Sequence, residues 1–193
     1  MKIAETVLPG VLRITPPTVH QDHRGIYVET WNEALYARLL PDDVRFVQDD
    51  VSVSRYGVLR GIHGDQETWK LITCLYGEIY LVVVNNDPQS PAYRDWLGII
   101  LAIVVVNNDP ESVAYRAEEG IIVPPSIYQQ ILVPPKHGIG HLVLSHHAVF
   151  GYQQSSYYGT KQFTIPWNDP ELAIPWPMPK GMTPITSERD RGY

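Results

Sequence analysis

Seventeen prolines and fourteen glycines are spread through this 193-residue chain, and between them lie short runs of β-branched and aromatic residues. Such punctuation points to an all-β sandwich or barrel. Strands are expected at Val11–Ile14, Ile26–Thr30, Phe46–Ser54, Val58–Ile62, Trp69–Leu75, Ile79–Asn85, Trp96–Leu101, Gln130–Val133, His141–Leu144, Ala148–Gln154 and Phe163–Pro166. The dipeptide Gly77-Glu78 reads as a tight hairpin turn between two of them. One short N-terminal helix is expected: Asn32 as N-cap, Glu33 in the first turn, Leu35 and Leu39 on one face, and Pro41 as the stop. Trp31 and Tyr36 are placed to staple its start. From Pro166 to Pro184 prolines exclude regular structure, so this stretch is expected to be an extended tail pinned by Trp167 and Trp176.

An internal repeat interrupts the pattern. Val82-Val83-Val84-Asn85-Asn86-Asp87-Pro88 recurs as Val104-Val105-Val106-Asn107-Asn108-Asp109-Pro110, and the match continues through Tyr93/Tyr115 and Arg94/Arg116. Two copies are too few for a solenoid. The expectation is a single domain over 1–193 with a duplicated hairpin inserted at about 102–128, at a sheet edge or standing off it. Near-identical strands compete for one slot, so register is weakly specified there.

The length suffices for one substantial core. A formal net charge of -6 argues against nucleic acid or a membrane surface as partner, and an anionic ligand then needs a few well-placed cations. The single Cys74 sits in an apolar strand pattern and reads as a buried thiol. The start of the chain does not resemble a signal peptide, and no apolar run reaches spanning length. A soluble, cytoplasmic protein is the expectation.

The chemistry-bearing residues begin with His63, in Arg60-Gly61-Ile62-His63-Gly64-Asp65. An imidazole between the cations Arg60 and Lys70, at neighbouring strand ends, suits proton abstraction beside a carbonyl and retention of the enolate. Arg60 and His63 are three apart, however, and face opposite ways on a regular strand unless Gly61 or Gly64 bends it. Arg24 is placed either to fork onto a phosphate or to pair with Asp22 or Glu29 at the surface. Phe46, Gln48 and Asp50 share one strand face. Tyr152 reads either as a core tyrosine or as an acid opposing His63 across a cavity, and Asp190 by itself reads as a solvated tail charge. His146 and His147 are adjacent, so they are expected on opposite faces, poor geometry for a metal.

Taken in order, Asp22-x-Arg24-Gly25, Glu29, Phe46-Val47-Gln48-Asp49, Arg60-Gly61-Ile62-His63, Lys70-Leu71, Val143-Leu144-Ser145, Trp167-Asn168-Asp169-Pro170 and Ser187-Glu188-x-Asp190 resemble the dTDP-4-dehydrorhamnose 3,5-epimerase family. Gly64-Asp65, where rhamnose-pathway members usually carry Tyr-Gln, is similar to the branch acting on GDP-linked 4-keto-6-deoxy-heptoses. The resemblance implies a cupin-type jelly roll of two packed antiparallel sheets, a homodimer, and catalysis without metal or cofactor. It implies His63 as base, Asp190 as the carboxylate orienting it, Lys70 at the 4-keto oxygen and Tyr152 as acid. Arg24, Glu29, Gln48 and Arg60 are implied at the nucleotide diphosphate and sugar. His141 is a further candidate; it lies two residues beyond the position where rhamnose-pathway members carry a histidine, on the same strand face but deeper. The activity implied is inversion at C3, C5 or both of a nucleotide-linked 4-keto-6-deoxy sugar. A 3,4-ketoisomerase and a non-catalytic sugar-nucleotide-binding cupin are the alternatives.

Overall fold

A computed structural model describes residues 1–103, 128–159 and 161–191. The inserted repeat expected at about 102–128 therefore lies almost wholly outside the described residues. The described strands are β1 (Lys2–Glu5), β2 (Leu12–Thr15), β3 (Val19–Asp22), β4 (Gly25–Val28), β5 (Gln48–Arg55), β6 (Leu59–Gly64), β7 (Lys70–Asn85), β8 (Trp96–Ile103), β9 (Gln130–Val133), β10 (His137–Val143), β11 (His147–Gln154) and β12 (Phe163–Thr164). Apart from β3 and β4, which form a two-stranded sheet of their own, they build two antiparallel sheets. One runs β1-β2-β9-β7-β11-β5 and the other β8-β7-β10-β6-β12. This is the expected all-β, cupin-type jelly roll.

Strand β7 belongs to both sheets, which corrects the reading of Gly77-Glu78 as a hairpin turn. Its first half pairs with β9 and β11, its second half with β8 and β10. Gly77 has φ +77, and a Cβ there would lie 2.2 Å from the His147 carbonyl oxygen. The glycine thus bends one strand from sheet to sheet instead of reversing it.

The same strand explains the unbroken apolar run Leu81–Val84. Leu81 and Val83 point between the sheets with Ile72, Ile131, Val143 and Phe150. Val82 and Val84 point outward, where Leu172 and Trp176 of the tail cover them together with Leu59 and Ile62. A strand buried on both faces has no polar alternation to show. The outer face of the first sheet is covered by the helix α1 (Glu33–Tyr36), through Tyr36, Leu40, Leu71 and Leu132. Its N-cap is Asn32, whose side chain accepts from the Leu35 amide at 3.3 Å, and the Trp31 and Tyr36 rings meet at 5.0 Å. Strands β1 and β3 were not anticipated; each is four residues long and pairs with one short strand, β2 and β4 respectively, too brief for a periodic pattern. Among the described residues no helix is long and apolar enough to cross a membrane.

Candidate active site

Alternation along three strands sends side chains into one cavity between the sheets. Lys70 and Ile72 come from β7, Ile139 and His141 from β10, and Phe150, Tyr152 and Gln154 from β11, each set spaced by two. Arg60 and His63 of β6 line the same cavity, although simple alternation opposes them. The register explains this. Ile139 pairs with His63 and His141 with Arg60, so Gly140 alone faces Gly61 and Ile62. This β-bulge restores both side chains to one face. Only glycine suits the bulge: Gly61 has φ +102, and a Cβ there would lie 2.4 Å from the Ile139 carbonyl oxygen.

Around this cavity of about 350 Å³ His63 stands on one sheet and Tyr152 on the other. Asp190, read alone as a solvated charge, is buried and contacts the imidazole: its Oδ1 lies 2.5 Å from His63 Nε2. The tail carries it there by pairing Ile185 with Gly57 and Leu59, and by a turn in which the Asp190 amide donates to Ser187. A carboxylate at Nε2 keeps the proton on that nitrogen and leaves Nδ1 as the basic one.

Burial holds the His63 imidazole below its usual range, and Arg189 and Lys70 push the same way against the opposing Asp190 charge. The ring is therefore neutral, and able to accept a proton, near pH 7. Burial likewise lowers the Lys70 ammonium, opposed by Asp65, 3.7 Å away. The Tyr152 hydroxyl is raised by burial and by the neighbouring Asp50 and Tyr158, with Arg60 opposing, so it carries its proton. A neutral imidazole, a protonated phenol and a lysine amine thus share one pocket, a set of groups that carbon-acid chemistry can use.

The remaining candidates divide. Arg60 donates from Nε to Ser54 Oγ at 3.0 Å on the cavity wall. Gln48 lies beside the cavity, donating to Asp50 and accepting from the Tyr158 amide. Arg24 is held by its surface partner Asp22 (Nη2–Oδ2 2.6 Å), and Glu29 accepts from Thr18 and Asn32. Both stand on or next to the separate β3–β4 hairpin and neither lines the cavity within this chain. His146 and His147 do not point apart as expected. They meet at 2.7 Å between Nδ1 atoms, because His146 sits in the turn before β11. Among the described residues no three His, Cys, Asp or Glu side chains gather as a metal site.

Sequence reasoning missed Arg189, which lines the cavity and binds Tyr158, Gln162 and Thr164. Its adjacency to Asp190 was the available signal.

His141 is buried at the cavity floor, stacked on Phe150 with ring centroids 4.1 Å apart, and its Nε2 has no hydrogen-bond partner among the described residues. Burial, with Arg60 adding to it, pushes its imidazole down to about 3. The unfolded chain binds this proton near pH 6.5 and the folded chain only near 3, so stability is complete above 6.5 and drains away as pH falls between them. By pH 4.5 the loss from this group is on the order of 3 kcal/mol. Urea unfolding of the parent and of His141→Phe at pH 7 and 4.5 should show the variant losing less stability on acidification; equal losses would contradict this.

A family model described as dTDP-4-dehydrorhamnose 3,5-epimerase matches residues 5–103 and 101–193. The two segments meet at the junction between the two copies of the repeat. The chain is 32% identical over 194 residues to the dTDP-4-dehydrorhamnose 3,5-epimerase of Escherichia coli, covering 98% of this chain and 91% of that protein. It is also 32% identical to that of Methanothermobacter thermautotrophicus, over 100% of this chain and 92% of the relative. Among solved structures, the dTDP-6-deoxy-D-glucose-3,5-epimerase of Legionella pneumophila, in complex with dTDP-4-keto-L-rhamnose, superposes with TM-score 0.79 at 31% identity, covering 98% of this chain and 89% of that one.

Proposed function

Because this chain belongs to the dTDP-4-dehydrorhamnose 3,5-epimerase family, we propose that it inverts C3, C5 or both of a nucleoside-diphosphate-linked 4-keto-6-deoxy sugar. The observation that carries this reading is the grouping of His63–Asp190, Lys70 and Tyr152 around one cavity. The 4-keto group acidifies the hydrogens on C3 and C5. His63 Nδ1 takes one of them, the electron pair moves onto the ketone oxygen, and the Lys70 ammonium stabilises the resulting enolate. Tyr152 returns a proton to the same carbon from the opposite face, which inverts the centre. Solvent then reprotonates the tyrosinate and deprotonates the imidazolium. Arg60, Gln48 and His141 are assigned to the substrate, and Arg24 and Glu29 to its nucleotide from a second copy of the chain.

That second copy has a place to dock. The inner face of β5 is polar, with Gln48, Asp50, Ser52 and Ser54. Its outer face presents Val51 and Val53, 59% and 65% exposed, beside the exposed Leu75 and Tyr76. Among the described residues β5 pairs with β11 alone, so one of its edges is unpaired. The chain should sediment as a dimer, and Val51→Glu with Val53→Glu should yield monomer; a monomeric parent would remove the dimer.

The reaction itself is tested by NMR analysis of products from dTDP- and GDP-linked 4-keto-6-deoxy sugars. Epimers are expected. A 3-keto product would establish a ketoisomerase instead, and binding without product a sugar-nucleotide carrier. Selective stabilisation in thermal melts, about 2.7 kcal/mol at a hundredfold excess over Kd, identifies the nucleotide.

A further inference from the structure

We propose that Asp65 is a positioning residue whose two carboxylate oxygens do separate work, one building the turn into β7 and the other keeping Lys70 in place as a cation. Oδ1 accepts from the Glu67 amide at 3.0 Å and from the Thr68 amide at 2.7 Å. Oδ2 lies 3.7 Å from Lys70 Nζ, with both side chains largely buried. The inference rests on the reaction proposed above, in which Lys70 must be charged when the enolate forms.

The need for such a partner is physical. Lys70 is buried at 8% exposure, and desolvation favours the neutral amine. The other ionisable groups lining its cavity are Arg60 and His63 on β6, His141 on β10, Tyr152 on β11, Tyr158 beyond it, and Arg189 and Asp190 on the tail. Two of these are cations that disfavour a third, and the Asp190 carboxylate is engaged by His63. Asp50, on the inner face of β5, is taken up by Gln48 and Gln154, so among the described residues Asp65 is the carboxylate paired with the ammonium. Its own carboxyl, raised by burial, is nonetheless held below the usual range by hydrogen bonds from Thr68 and Glu67 and by the Lys70 charge, so it is ionised.

The division of labour between the oxygens makes a clean test. In Asp65→Asn the amide oxygen still accepts the two turn amides, while an NH2 group replaces Oδ2 beside Lys70. Asp65→Ser keeps a turn acceptor and also removes the charge; Asp65→Glu keeps the charge. Acetic anhydride labelling of the full-length protein against pH, read at the Lys70 peptide by mass spectrometry, reports deprotonation of that amine whether or not any sugar is turned over. The labelling midpoint should move to lower pH in Asp65→Asn and Asp65→Ser and return toward the parent in Asp65→Glu. With a substrate in hand, the basic limb of kcat/KM should move the same way, and kcat/KM should fall about tenfold above neutral pH. Folded variants with the parent's labelling midpoint would overturn the role of Asp65. An inactive parent whose labelling still shifts on Asp65→Asn would overturn the epimerase reading, leaving the Asp65–Lys70 coupling standing.

Discussion

Replacing His63 by asparagine is expected to lower kcat by about 10⁴-fold, at the upper end of what general-base catalysis supplies, while nucleotide-sugar affinity stays within a few-fold of the parent. The split follows from where the groups stand. In the proposed reaction the imidazole acts on the reacting carbon through Nδ1, whereas phosphate and sugar recognition is assigned to Arg60, Gln48 and groups beyond the dyad. Some stability should be lost too. Asp190, 6% exposed, would be left as a buried carboxylate without its 2.5 Å partner, which typically costs about 1–3 kcal/mol. Isothermal titration and steady-state kinetics on the same preparation separate the two effects. A variant that still turns over at a tenth of the parent rate would assign the base elsewhere.

Asp190→Asn should have the second-largest effect, about 10³-fold in kcat, by a different route. An amide in place of the carboxylate offers an N–H to Nε2, which drives the imidazole proton onto Nδ1 and occupies the basic position; the same tautomer error is costly in hydrolases built on a His–Asp pair. The pH profile distinguishes this from a collapse of the tail. His63 must lose its proton to act, and burial already places that loss below the usual histidine range, with Asp190 opposing the shift. Without the carboxylate the imidazole deprotonates at still lower pH, so the acid limb of kcat/KM moves down. The deficit relative to the parent therefore narrows as pH falls. A variant with an unmoved acid limb would mean that Asp190 serves structure alone.

These two residues mark how far the sequence could be read. The fold was legible from its punctuation and strand periodicity. The dyad was not, because strand-level patterns say nothing about a carboxylate 127 residues away; it was reachable only through the family resemblance. Alternation also misleads at β6, where Arg60 and His63 share a face because Gly61 and Ile62 bulge opposite Gly140. Gly77 misleads for a related reason: a glycine at positive φ serves a corner between sheets as readily as a hairpin turn, and local sequence does not distinguish them. Arg24 and Glu29 were legible as motif residues, yet the β3–β4 hairpin keeps them off the cavity of their own chain. Arg189 carried no periodic signal at all, lying in a tail whose path is set by Ile185 and the buried Trp176.

Incubation in heavy water with a nucleotide-linked 4-keto-6-deoxy sugar tests the arrangement of base and acid most directly. The parent should place deuterium at the carbon it inverts. His63→Asn should place none, and Tyr152→Phe should invert far more slowly while still exchanging the hydrogen that His63 removes. A folded parent that binds the sugar yet leaves C3 and C5 unlabelled would contradict the catalytic pairing of these two rings.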